Sequence, residues 1–278
     1  FLSGEYGIYL NQYINKEEAF LSISKAIRSI SKNTKMHAIF VKDFYQASRK
    51  ITDHLLNFGY SLTPVEPNMI LKIDQNWKSY DDYKAALKSK YRVKVKKADK
   101  TSAVLESILF NEDDFVKHKK DLQRLYENTI ANANFNAQVL NLNTYIKLRK
   151  VYHENFVVKA YFFEGKLVGF LSALVNNHHL DAHFIGLNYE LNKECAIYPR
   201  ILNDYVRLGI RLGASQINFG RTASEIKSTI GAIPEDLVCY TRHKRDFINT
   251  IFKPLLSQIH IKEFKQHFPF KGTKKEAI

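Results

Sequence analysis

Three stretches of this 278-residue chain carry side chains able to move protons or hold anions. The first is Gln216–Pro234, QINFGRTASEIKSTIGAIP, which reads as a strand (Gln216–Phe219), a turn at Gly220-Arg221 and a helix that stops at Gly231. Backbone N–H groups left free at such a helix start, beside Arg221, would seat an anionic or carbonyl-bearing substrate. Glu225 could orient or deprotonate an amine, and Lys227 and Arg221 could hold a phosphate or carboxylate, Arg through its bidentate fork. Gly231 is either a plain helix cap or a place where backbone N–H groups reach a developing oxyanion. The plainer reading is a solvated helix with one local ion pair.

The second stretch is the strand His178–Gly186. Its period of two places His179, Asp181 and His183 on one face, with neighbours about 6.7 Å apart. An Asp beside a His holds the tautomer and raises basicity, so His183 is expected as general base with Asp181 as its support. A polar strand face is the plainer alternative. A metal site is a third, but further convergent ligands are lacking, so no metal is expected.

The third is a run of Lys84, Lys88, Arg92, Lys96 and Lys100 at four-residue spacing, beside an apolar stripe of Tyr83, Leu87, Tyr91 and Val95. Read as one helix, it would contact the phosphates of RNA or of anionic lipid, or simply face solvent. Tyr189, Tyr198 and Tyr240 are candidates for lining a substrate cleft. With 16 tyrosines in the chain, core or rim positions suit them equally.

These groups need a scaffold, and the patterning supplies alternating elements. The first hundred residues read as strand Glu5–Leu10, helix Lys16–Ser31, strand Met36–Val41, helix Tyr45–Phe58 closed by Gly59, strand Met69–Ile73 and a helix from Ser79. After Thr101 come strand Ala103–Phe110 and helix Phe115–Ala131, whose start is signalled by Asn111-Glu112-Asp113-Asp114. Helix Leu142–Tyr152 precedes strands Phe156–Phe163, Lys166–Val175 and His178–Gly186, joined by turns at Glu164-Gly165 and Asn176-Asn177. Helix Ala196–Leu212, the 216–234 stretch, strand Leu237–Arg242 and an amphipathic helix Asp246–Phe264 complete the order. That order suggests two related α/β halves.

A content of 45% hydrophobic and 25% charged residues is that of a folded chain, and the length suffices for one large domain or two small ones. No uncharged apolar run approaches the roughly 20 residues of a spanning helix. Cys195 and Cys239 have no metal or redox spacing and read as buried thiols in a reducing compartment. The net charge of +14 favours an anionic partner such as nucleic acid, a phosphorylated cofactor or an acidic membrane surface.

Three motifs resemble the GNAT-like N-acyltransferases of the Fem-type branch, the peptidoglycan aminoacyl transferases and their acyl-transferring relatives. The stretch Trp77-Lys78-Ser79-Tyr80-Asp81-Asp82-Tyr83 leading to Leu87-Lys88-Ser89-Lys90-Tyr91-Arg92 and Lys96-Lys97-Ala98 is similar to the basic helix closing the first half. Phe163-Glu164-Gly165-Lys166-Leu167-Val168-Gly169-Phe170 looks like the Gly-Lys hairpin of the central sheet. Gly213-Ala214, Asn218-Phe219-Gly220-Arg221 and Ile226-Lys227 through Gly231-Ala232 resemble the closing strand and loop. The resemblance implies an α/β fold of two tandem GNAT-like halves with mixed central sheets, divided here as 1–100 and 101–278. It also implies transfer of an acyl group from an activated donor to an amine-bearing acceptor: an amino lipid, an amino sugar or a cell-wall peptide.

Two departures qualify this. Gly186-Leu187-Asn188-Tyr189-Glu190 stands where an acetyl-CoA enzyme carries its Arg/Gln-x-x-Gly-x-Gly/Ala pyrophosphate loop, and no heptad-patterned arm is present. The expectation is therefore no tightly bound cofactor and an acyl thioester, acyl-CoA or acyl carrier, as co-substrate held in another way. Aminoacyl-tRNA-dependent transfer and a non-catalytic RNA- or membrane-binding module are the alternatives. A cytoplasmic location, or a peripheral one on the inner membrane face, is expected.

Overall fold

Caps and turn chemistry cut the chain into ten α-helices and eight strands among the described residues, which are 8–132, 139–256, 258 and 261–272 of the computed structural model. In order they are α1 (Lys16–Lys32), β1 (Ala38–Tyr45), α2 (Arg49–Thr52), β2 (Ser61–Lys72), α3 (Tyr80–Ala86), α4 (Ser89–Thr101), β3 (Glu106–Leu109), α5 (Glu112–Ala131) and α6 (Thr144–Tyr152). There follow β4 (Phe156–Phe163), β5 (Lys166–Asn176), β6 (His179–Leu187), α7 (Tyr189–Cys195), α8 (Ile197–Arg211), β7 (Gln216–Asn218), α9 (Ser224–Ser228), β8 (Ile233–His243) and α10 (Asp246–Leu256). Ser79 and Asn111 build capping boxes with Asp82 and Asp114, each side chain satisfying an orphan backbone donor of the other end.

The chain forms two compact units, Phe1–Asn68 with Pro234–Phe264, and Met69–Ile233 with Lys265–Ile278. Residues 69–100, drawn with the first half on sequence grounds, join the second unit because α3 and α4 pack on α8. In the first unit β1 and β8 pair antiparallel, from Ala38↔His243 to Tyr45↔Leu237, with a bulge at Lys42-Asp43. Phe20 of α1, Ile39, Phe44, Leu55, Tyr60, Val238 and Tyr240 form its core.

The second unit is an α/β layer structure with a mixed sheet. Residues Ile70–Lys72 of β2 pair antiparallel with β7, β7 runs parallel to β6, and β5, β4 and β3 follow antiparallel. Alternation along β4 sends Phe156, Val158 and Ala160 into a core with Phe115, Leu122 and Leu125 of α5 and Tyr145 and Leu148 of α6. Lys159 and Tyr161 reach the opposite face, to Asp204 of α8.

Several expected elements are redrawn by tertiary contacts. The single basic helix breaks at Leu87-Lys88, where ψ is 141° and 147°. Those residues instead pair with the C-terminal segment: Leu87 bridges Phe270, Lys88 N–H donates to Pro269 O at 2.8 Å, and Lys271 N–H donates to Ala86 O at 3.0 Å. The helix expected over Tyr45–Phe58 is a run of short 3₁₀ and α turns, though Gly59 closes it in the left-handed conformation as expected. The strand expected at Met69 begins at Ser61 and includes Pro64 and Pro67. The helix expected over Asp246–Phe264 ends at Leu256. Residues 5–7 of the first expected strand lie outside the described residues, and 8–10 are not strand. The hairpin turn at Glu164-Gly165 stands, with φ of 49° and 73°, while the next turn is shifted one residue, to Asn177-His178.

Candidate active site

The second unit contains a place where its sheet opens. β6 and β7 pair in parallel only over His179–Asp181 and Gln216–Asn218. Beyond that point β6 continues to Leu187, while Phe219 and Gly220 follow β2, exchanging hydrogen bonds with Met69 at 2.9 and 3.1 Å. The chain leaving β6 enters α7 and α8, and the chain leaving β7 enters α9. A cleft of about 630 Å³ lies among α4, α7, α8, α9 and His267 of the C-terminal segment, lined by these and not by β6 or β7 themselves. Val95, Ala98, Leu202 and Ile230 supply buried apolar walls, and Lys94, Lys97 and Lys193 supply exposed ammonium groups.

Three polar side chains in this lining are linked. Glu225 Oε1 lies 3.3 Å from His267 Nε2, and His267 Nδ1 lies 3.2 Å from Tyr91 Oη. Glu225 is largely exposed, whereas only 14% of the His267 side chain is. With Glu225 ionised, Nε2 carries the hydrogen that donates to it, which leaves Nδ1 to accept from the Tyr91 hydroxyl.

His267 arrives on the C-terminal segment, and that segment is firmly seated. His267 N–H donates to Ser228 Oγ at 3.1 Å, Gln266 Nε2 donates to Ala232 O at 3.1 Å, and Lys88 Nζ donates to Phe268 O at 2.9 Å. Phe270 packs its ring against Trp77 and Tyr83. Gly231 makes that possible: its φ is 104°, and a Cβ there would lie 2.3 Å from the Phe270 ring. Gly231 therefore does two things: it caps the end of α9, its N–H donating to Ser228 O at 3.1 Å while Ala232 N–H donates to Lys227 O at 3.2 Å, and it makes room for the segment.

The other residues singled out from sequence divide sharply. Lys227 is buried, and its ammonium donates to the carbonyls of Phe219 at 2.8 Å and Arg221 at 2.7 Å. It holds the turn together instead of reaching for a substrate anion. Gly220 N–H donates to Asn218 Oδ1 at 2.9 Å, its carbonyl accepts from Met69 N–H, and α9 spans only five residues. Gly220 is thus already hydrogen-bonded at both its N–H and its carbonyl. Arg221 is half-buried and is not among the residues lining the cleft.

Asp181 and His183 do not form the expected pair. The β5–β6 register shifts between Leu171 and Ala173, so that His183 and Phe184 together oppose Ser172. Ser172 Oγ satisfies the bulge, accepting from Phe184 N–H at 3.1 Å and donating to Phe184 O at 2.6 Å. His183 turns into the aromatic core, with Nδ1 3.1 Å from Tyr145 Oη and its ring against Phe184 and Phe156. Burial pushes its pKa down to about 4, the reverse of the raised basicity expected. Asp181 is pushed up by burial and hydrogen-bonds Asn218, its cross-strand neighbour on β7.

Tyr240 belongs to the core of the first unit, bonded to Thr52 Oγ1 at 2.7 Å and Asp53 Oδ1 at 2.5 Å. Tyr189 bonds Thr129, and Tyr198 is raised by burial; neither lines the cleft. In the basic run, Lys84 pairs with Asp81 and covers the Tyr80 ring, Lys88 bonds Phe268 O, and Arg92 turns back to Leu87 O. Only Lys96 of the four remains exposed; the break at Leu87 removes the common face. The exposed basic set is instead Lys90, Lys94, Lys96, Lys97 and Lys100 of α4.

A second polar cluster went unforeseen. The carboxylate of Asp204, wholly enclosed, meets Lys159 Nζ at 2.7 Å, Arg200 Nε at 3.0 Å, Arg207 NH1 at 2.6 Å and Tyr161 Oη at 2.9 Å. Arg207 also bridges to Asp99 at 2.7 Å and lies 3.9 Å over the Tyr80 ring. Burial pulls Asp204 up, but Lys159 and Arg200 outweigh it and hold the carboxyl below its usual range. Arg200, Asp204 and Arg207 are spaced at four and three residues on α8, the only local signal for it.

No protein-family model matches the chain, and no curated protein does. Solved structures do match. FemX superposes with a TM-score of 0.55 at 13% identity, over 88% of this chain and 81% of that one. A tandem GNAT protein from the clavulanic acid biosynthesis pathway gives 0.56 at 10% identity, over 85% and 73%. A C-terminal domain (DUF2156) from Agrobacterium fabrum, assigned to a lysylphosphatidylglycerol synthetase, gives 0.55 at 10% identity, over 86% and 77%. The fold is GNAT-like. It is shared with FemX and a tandem GNAT protein, the branch that the sequence motifs resemble, and at these identities the likeness is one of fold. Among the described residues no helix is long and apolar enough to cross a membrane.

Proposed function

We propose that this chain transfers an acyl group from a phosphate-bearing activated donor to an amine. The observation that carries this reading is the cleft among α4, α7, α8 and α9, with apolar walls for an acyl arm and Lys94, Lys97 and Lys193 for the donor's anionic end. The fold shared with FemX and a tandem GNAT protein supports it. The amine attacks the ester or thioester carbonyl directly, and no covalent enzyme intermediate is required. Positioning and stabilisation of the oxyanion supply most of the acceleration. An amino lipid, an amino sugar or a cell-wall peptide would serve as acceptor.

A second reading, with an aminoacyl ester of tRNA as donor, is favoured by α4, which carries six Lys and Arg against one Asp in thirteen residues. The two donors share an acyl group on a phosphate-rich handle. The purified chain is incubated with an acyl-CoA series or with aminoacyl-tRNA, each with a panel of amines, and amide products are read by mass spectrometry. A tRNA donor would show binding that weakens steeply with salt. No amide and no saturable binding with either donor would overturn both readings and leave a non-catalytic binding module.

A further inference from the structure

We propose that Tyr91, His267 and Glu225 form a proton relay at the wall of the cleft, with Tyr91 as the group that meets the acceptor amine. The inference rests on the acyl-transfer reading and assigns the proton transfers within it. Its geometry is a hydroxyl, an imidazole and a carboxylate in series, at 3.2 and 3.3 Å. Hydroxyl, imidazole and carboxylate in that order make the hydroxyl oxygen a base toward whatever lies beyond it.

The side chains come from three separate elements: α4, α9 and the seated C-terminal segment. All three line the cleft. Among the described residues His267 is the one imidazole in the cleft lining, and His183 is enclosed in the aromatic core. The other charged groups lining the cleft are Lys94 and Lys97 of α4 and Lys193 of α7, and Lys88 is engaged at Phe268 O.

The steps balance without an outside reagent. The free amine attacks the donor carbonyl, a C–N bond forms, and the carbonyl oxygen takes the electron pair. The ammonium nitrogen so formed passes a proton to Tyr91 Oη, as Tyr91 passes its own to His267 Nδ1. Glu225 holds the imidazolium. The oxyanion then reforms the carbonyl, the bond to the donor sulfur or oxygen breaks, and the proton returns through Tyr91 to that leaving atom. Tyr91 is thus the catalytic group, and His267 and Glu225 act through it.

The test uses the full chain with Tyr91→Phe, His267→Gln and Glu225→Gln. Tyr91→Phe removes one hydroxyl and leaves the backbone bonds of the C-terminal segment intact, so it stays folded even where His267→Gln does not. Expected is a fall in kcat of about 10²-fold or more for Tyr91→Phe with donor affinity retained. The acidic limb of the kcat–pH profile should be displaced in Glu225→Gln. Long-range ¹H–¹⁵N NMR of the free protein should show His267 as the Nε2–H tautomer. An active wild type whose kcat and pH profile survive Tyr91→Phe would overturn the relay and leave acyl transfer standing. So would an Nδ1–H tautomer. A wild type that makes no amide from any donor would overturn acyl transfer, and the relay with it.

Discussion

Two carboxylates of the second unit, Asp204 and Glu225, sit in polar networks of opposite character. Asp204 is wholly enclosed and receives four donors, from Lys159, Arg200, Arg207 and Tyr161, while Glu225 meets one imidazole and otherwise faces the cleft. A saturated buried carboxylate has no capacity left for a ligand, and its removal strands the cations around it. A half-exposed one can exchange partners and protons. The two histidines repeat the contrast: His183 is surrounded by Tyr145, Phe156 and Phe184, whereas His267 links Glu225 to Tyr91 beside the cleft. Charge density and histidine content therefore do not mark a site; unfilled coordination beside a cavity does.

The comparison breaks most readily at Asp204. Asp204→Ala should cost about 3–5 kcal/mol in urea unfolding, because three cations lose their partner. A cost below about 1 kcal/mol would mean that the network is not saturated as described, since only exposed pairs are worth so little.

The enclosed histidine gives the next largest effect. His183 resists protonation when folded, so the unfolded chain takes up the extra proton between pH 6.5 and about 4. Stability is full above pH 6.5 and should fall on acidification to about pH 4 by roughly 2–3 kcal/mol, less what Asp181, pushed up by burial, returns on protonation. Denaturation at several pH values checks this, and His183→Gln should flatten the slope. An unchanged slope would place the titration elsewhere.

Gly231→Ala should destabilise by at least about 1 kcal/mol, since an alanine is strained at positive φ and its Cβ meets Phe270. Limited proteolysis should then cut near residues 265–272, and intact resistance would show that the segment is held independently of Gly231. The smallest effect belongs to the open cleft. Lys94→Ala and Lys97→Ala should leave stability nearly unchanged, yet each should flatten the dependence of log Kd on log salt for a tRNA donor by about 0.7. An unaltered slope would put the phosphates elsewhere.

Much of the layout was legible locally. Ser79 and Asn111 announced their helices and Glu164-Gly165 its hairpin, because caps and turns are properties of neighbouring residues, and three family-like motifs pointed to the GNAT-like fold. Of the candidate site, Glu225 was legible and lines the cleft. Lys227 was misjudged, because a lysine seven residues from a turn carries no local sign that its ammonium will bind that turn's carbonyls. His183 was misjudged because one extra residue in β6 upsets a period of two, and only the pairing with β5 reveals it. The four-residue basic run was split at Leu87 by a chain segment some 180 residues away.

The sequence by itself determined most of the elements, their order and the strong basic balance. That balance lies mostly in the second unit, with 29 Lys and Arg against 18 Asp and Glu there and 13 against 10 in the first. Tertiary structure alone decided which groups meet. Tyr91 and Glu225 reach His267 across 176 and 42 residues of sequence. Such meetings depend on how α4 and α9 pack and on the space that Gly231 leaves for Phe270. Periodicity acts over a few residues and holds no information about packing at that range.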